Sequence, residues 1–195
     1  MANTATEGAA GVAATPQIAL AGEAVEAFSR RLGEDPAGAA WRRQAAEQAA
    51  AVAYPDRVRH LWKYTDPDLL QPQRPLLEVP ADPAGAELPG TPAVLVRPGL
   101  APELNEAARD LGLEVRALFA DAGDAELIGR AVPATHGWFE ALNAAAFDAG
   151  VLVRVPRGQI VEQPLRVIFP AQPANNLLPR LLVVAEDGSA LTVVE

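Results

Sequence analysis

The sequence predicts an α+β protein, with helices first and short strands after them. Three observations predict it. Residues 15–54 are alanine-rich, with apolar side chains at helical spacing. Residues 55–92 are too dense in proline for regular structure. Beyond residue 150, short β-rich runs alternate with turn residues. Four zones are therefore expected: a disordered tail at 1–14, a helical region with a proline-rich linker at 15–92, an α/β segment ending in a helix at 93–149, and strands at 150–195.

Thr15 followed by Pro16 reads as a helix start, a hydroxyl cap before a first-turn proline. Ile18, Leu20, Val25, Phe28 and Leu32 continue it, and Gly33 can stop it. A second helix is expected from near Asp35 and Pro36 to about Ala53. Its buried stripe is read as Trp41, Ala45, Ala49 and Val52, with Arg42, Arg43, Gln44, Glu47 and Gln48 mainly off it. In the proline-rich zone, Trp62 and Tyr64 are read as aromatic pins that hold a loose segment to the body. Residues 93–96 read as a strand, 102–111 as a helix and 113–119 as a strand, a βαβ-like arrangement. Asp121 is expected to cap a short helix through Ile128. A further helix over 136–147 is expected to close at Gly150. Strands are expected at 151–155, 159–161, 165–169, 181–185 and 190–194. Such spacing suits a sandwich, a barrel or a β-solenoid, and periodicity alone does not choose among them.

Composition narrows the function classes. Among 195 residues there is no cysteine, which excludes a disulfide, a thiolate zinc site, a cysteine nucleophile and a cluster held by the chain's own thiolates. His60 and His136 are far apart and outside any metal-binding spacing, so no metal site is expected. A net charge of -9 argues against nucleic acid as partner. The acidic residues read as a solvated face. Neither a dinucleotide fingerprint nor a phosphate loop is present. No apolar run approaches the ~18 residues of a membrane span, and the first residues do not read as a signal peptide. A soluble, cytoplasmic protein is expected.

Two further features carry a resemblance. Phe139, Leu142, Asn143 and Ala145 lead into Gly150, Val153, Val155-Pro156, Gly158, Val161 and Pro164. Upstream lies Trp62-Lys63-Tyr64-Thr65-Asp66. Together, and in this order, they resemble the SufB/SufD family of iron–sulfur cluster assembly proteins, and the aromatic segment resembles the SufD branch. The stretch from Arg180 to Glu195 looks like the family's next rung. The resemblance implies a right-handed parallel β-helix beginning at 150–195, truncated after its first rungs. The chain is then expected to be the N-terminal half of a longer protein. It also implies a scaffold that partners a SufB-like subunit and a SufC-like ATPase. The iron–sulfur cluster, and ATP through SufC, belong to the complete complex, and no cofactor is implied for this chain itself.

The family residues implicated in cluster formation match no position here. The expectation is therefore a structural protein, not an enzyme. Its family-signature residues are Trp62, Tyr64, Thr65, Asp66, Phe139, Leu142, Asn143, Gly150, Pro156, Gly158 and Pro164. Two other readings compete. One is a stand-alone short β-solenoid that self-associates through its open end, since unpaired strand edges accept further strands. The other is a β-helix carbohydrate-active enzyme. Against the latter, Arg154, Arg157, Glu162, Arg166 and Arg180 alternate with apolar residues, as solvent exposure predicts.

Overall fold

The computed structural model of the chain describes residues 20–55, 62–70, 76–77, 86–171 and 177–195. The expected tail at 1–14, the Thr15–Pro16 cap and His60 lie outside the described residues.

Helix α1 spans Gly22–Arg31. Val25 and Phe28 are its buried residues, and Gly33, with φ 72°, turns the chain out of it as expected. Helix α2 spans Pro36–Ala51. Asp35 caps it by accepting from the Gly38 N–H at 2.8 Å, with Pro36 in the first turn. Its buried face holds Arg42, Ala45, Ala46 and Ala49. The stripe is thus rotated from the expected one, and Arg42, expected off it, is fully buried. A short 3₁₀ turn follows at Pro67–Leu70.

The segment expected as βαβ divides differently. Strand β1 is Ala93–Leu95, β2 is Glu103–Leu104, and helix α3 is only Glu106–Arg109. Asn105 sets this late start. Its side chain accepts from the Ala108 and Ala93 N–H groups and donates to the Pro89 and Thr91 carbonyls. Strand β3 is Glu114–Ala117, and it joins a different sheet from β1. A four-residue helix α4, Asp124–Leu127, follows, and then helix α5, Trp138–Ala146.

Gly150 does not end α5. The helix ends when Phe147 turns to extended backbone at ψ 135°, and Gly150 lies inside strand β4, Ala149–Val155. A Cβ at Gly150 would meet the Phe147 ring at 2.6 Å and Leu118 at 3.1 Å. Only glycine lets the helix turn back this tightly against its own strand. The remaining strands are β5, Leu165–Ile168, β6, Pro179–Ala185, and β7, Val193–Val194.

These strands form two open sheets, ordered β2-β1-β5-β7 and β3-β4-β6. Both are mixed. β1–β2 and β3–β4 are antiparallel, whereas β1–β5, β5–β7 and β4–β6 are parallel. This overturns the right-handed parallel β-helix expected for 150–195. A β-helix requires parallel stacking around one closed coil. Here the antiparallel strands β2 and β3 occupy an edge of each sheet, and the segment between β4 and β5 contributes only an isolated Ile160–Ala190 bridge. The sequence pattern identified strands but not their partners. The fold is α+β with two mixed sheets.

The sheets meet across one core. Val94, Val96, Leu165 and Val167 from one pack with Val151 and Val153 from the other. The opposite side of β4 packs Leu152 against Phe119, Phe147 and Ile128. Helices α1, α2 and α5 cover this side, with Val25, Ala45, Ala46, Ala144 and Ala145 in contact. Fully burying a side chain the size of valine or leucine contributes about 1.5–3 kcal/mol, so these contacts dominate cohesion. Among the described residues, no helix is long and apolar enough to cross a membrane.

Candidate functional site

The polar groups most constrained by the fold lie where α5 meets α2 and the β3-β4-β6 sheet. Arg42 is at their centre. Its Nε and Nη2 reach the two carboxylate oxygens of Glu34 at 2.7 and 2.5 Å, and its Nη1 donates to the Ala145 carbonyl at 3.2 Å. The guanidinium stacks on Phe147 at 3.7 Å, with Phe28 at 5.3 Å. Ser29 Oγ donates to the same Glu34 carboxylate at 2.8 Å. A buried bidentate pair of this kind fixes position more than it adds stability. Here it locks the α1–α2 connection to the end of α5.

Asp148 follows directly. It is 5% exposed, and its Oδ1 accepts from the Leu178 N–H at 3.3 Å, while its own N–H donates to the Leu178 carbonyl. Burial pushes its carboxyl up to about 6; hydrogen bonds from the Leu178, Asp148 and Ala149 amides and the charge of Arg42 oppose that rise. A second bidentate pair joins Arg116 to the buried Asp124 at 2.5 and 2.6 Å. Asp124 also accepts from the Phe119 N–H at 2.9 Å. The Asp124 hydrogen bonds hold the Arg116 guanidinium above its usual range, against the opposing effect of burial.

Asn143 joins α5 to β6. Its Nδ2 donates to the Pro179 carbonyl at 3.1 Å, and its Oδ1 accepts from Arg180 Nη1 at 3.1 Å. Arg180 Nη2 donates to the Val132 carbonyl at 3.2 Å, and its guanidinium lies 5.3 Å from the Trp41 ring centre. Burial, and then the like charge of Arg42, lower the Arg180 pKa. Arg180 was expected to point to solvent, yet it is half-buried. Asn143 and Arg180 line a cleft of about 390 Å³ with Ile128, Val132, Phe139, Glu140, Leu181 and Leu182.

The sequence-predicted residues fall into two groups. Around α5, Leu142 is buried and Phe139 half-buried, and the Trp62 ring lies 5.1 Å from that of Phe139. Trp62 thus pins its segment as expected. Tyr64 does not, being 88% exposed, because its ring points away and meets only Lys63 Nζ, at 5.3 Å, among the ring contacts described. Thr65 is exposed, and Asp66 accepts at its carbonyl from the Leu69 N–H. Away from α5, Pro156, Gly158 and Pro164 are exposed in the connection from β4 to β5. There Gly158, at φ 72°, donates its N–H to the Asp187 carbonyl at 2.9 Å. The two groups do not converge.

Sequence reasoning missed Tyr54 and Trp138, whose rings stack edge-on at 4.8 Å beside Phe139. It also missed Arg42, although a signal was present. Arg42 precedes Ala45, Ala46 and Ala49 at helical spacing, and those small side chains leave room for a guanidinium. Nothing in the sequence marks Arg180. No three His, Asp or Glu side chains among the described residues could together hold a metal ion. The arrangement is suited to holding elements together and to binding in the cleft.

Comparison with known proteins places part of this chain. No family model matches it. A segment of 71 residues is 35% identical to an iron–sulfur cluster assembly SufBD family protein of Mycobacterium bovis, and the same match is found in two strains of Mycobacterium tuberculosis. It covers 36% of this chain and 8% of each relative's length. The chain therefore carries a segment similar to SufBD family proteins, and it matches a small part of them.

Proposed function

We propose that this chain is a scaffold component of SufBD-type iron–sulfur cluster assembly, of the SufD-like branch, with no catalytic step of its own. The observation that carries this reading is the 71-residue similarity to SufBD family proteins. The aromatic segment at Trp62 supports the finer placement, since it resembles that branch's motif, while the Asn143 motif, which joins helix to sheet, resembles the SufB/SufD family as a whole. The expected partners are a SufB-like subunit and a SufC-like ATPase, in the cytoplasm. The cluster is cargo assembled by the whole complex, and ATP is used by the ATPase. The buried acids and bases serve to connect elements, as Arg42 with Glu34 and Arg116 with Asp124 illustrate.

The test is affinity purification of the tagged full chain from the organism that encodes it, with mass spectrometry of what accompanies it. SufB-like and SufC-like subunits in near-stoichiometric amounts are expected. A folded, tagged chain that retains neither would overturn the reading. A second reading, self-association, is favoured by Val183 and Val194, which are 40% and 44% exposed on the outermost strands β6 and β7.

A further inference from the structure

We infer that the cleft between α5, the 128–132 connection and β6 is a binding site for a small aliphatic monocarboxylate. Its volume, about 390 Å³, is that of a small-molecule site, and its walls are chiefly apolar, with Ile128, Val132, Leu181 and Leu182 among them. Such walls select an apolar body.

Arg180 supplies the polar anchor. Among the described residues it takes part in no ion pair. Its two hydrogen bonds go to neutral oxygens, of Asn143 and Val132. Of the five N–H groups of a guanidinium, these use two. A half-buried cation with unused N–H donors has lost part of its solvation, and a carboxylate brought to it restores that through charge-assisted hydrogen bonds. Asn143 and Trp41 fix the side chain before any ligand arrives.

Glu140 also lines the cleft. Its negative charge repels phosphates and dicarboxylates more than a singly charged carboxylate, which favours the latter. The inference stands apart from the assembly reading, because it rests on the cleft alone.

The test is isothermal titration of the full chain with sodium octanoate, and with octanamide and octylamine as probes of the same body without the anion. Octanoate is expected to bind saturably, with the other two at least about tenfold weaker. Arg180→Met should weaken octanoate about tenfold or more. Glu140→Gln should tighten it about two- to threefold by removing a like charge, an effect that a loss of folding cannot produce. Equal binding of all three probes would overturn the inference, as would octanoate binding unaffected by both variants, or no saturation below millimolar concentration.

Discussion

Asp148 shows how burial of a single residue sets a pH response. Its carboxyl titrates at about 6 in the folded chain, against about 3.9 when unfolded. Between these values the folded state holds a proton that the unfolded state has released. The contribution to stability is therefore fully present below about pH 4 and is lost as pH rises through about 6. The loss is on the order of 2–3 kcal/mol at neutral pH. Asp148→Asn keeps an oxygen for the Leu178 N–H and removes the charge. It is expected to be more stable than the parent at pH 7, by on the order of 1–3 kcal/mol, and equal to it near pH 4. Chemical denaturation of both proteins across pH 4–7 reads this directly. A stability difference that does not change with pH would refute it. Carboxylates whose pKa is lowered on folding respond in the opposite direction, so the comparison must be between variant and parent.

At the scale of elements, Asn143 ties α5 to β6 by side-chain hydrogen bonds. Its loss removes one hydrogen bond to the Pro179 carbonyl and one from the Arg180 guanidinium. Asn143→Ala is expected to cost about 2–3 kcal/mol, with the charged partner contributing the larger share. The effect should be local. Hydrogen exchange at the β6 amides should accelerate markedly, while β1, in the other sheet, retains its protection. Asn143→Asp keeps an acceptor for Arg180 and should recover part of the protection. Uniform acceleration across both sheets would show that Asn143 supports the core generally. This junction also marks how much the sequence discloses. Asn143 was legible because its motif is local, within one helix. Arg180 was not, because its partners are Val132, Asn143 and Trp41, up to 139 residues away along the chain, and strand alternation points a side chain without saying what lies there. The helices α1 and α2 were legible through Asp35, Pro36 and Gly33, where capping chemistry is local. Strand positions were legible too. Their pairing was not, since the turns do not specify whether β4 meets β3 antiparallel or β6 parallel, and it meets both.

For the whole molecule, the open question is how the outer strands are covered. β6 and β7 each end one of the two sheets, and the β6 burial pattern alternates between half-buried and exposed over its second half. Val183 and Val194 are exposed there, and Leu181, Leu191 and Val193 are only partly buried against the core. A seven-residue edge strand with apolar neighbours invites pairing with another strand. Natural edges are usually guarded by charge, and the run from Leu181 to Ala185 has none. If self-association covers this edge, Val183→Glu should abolish it, because the carboxylate would be desolvated in the contact while remaining solvated in the monomer. Sedimentation velocity over a hundredfold range of concentration makes the comparison. The parent is expected to shift from monomer toward dimer as concentration rises, and the variant to remain monomeric with an unchanged circular dichroism spectrum. A parent that stays monomeric throughout would refute self-association through this edge. A dimer that persists in the variant would place the contact away from β6. The outcome thus separates the two readings by which strand, if any, the chain accepts from a copy of itself.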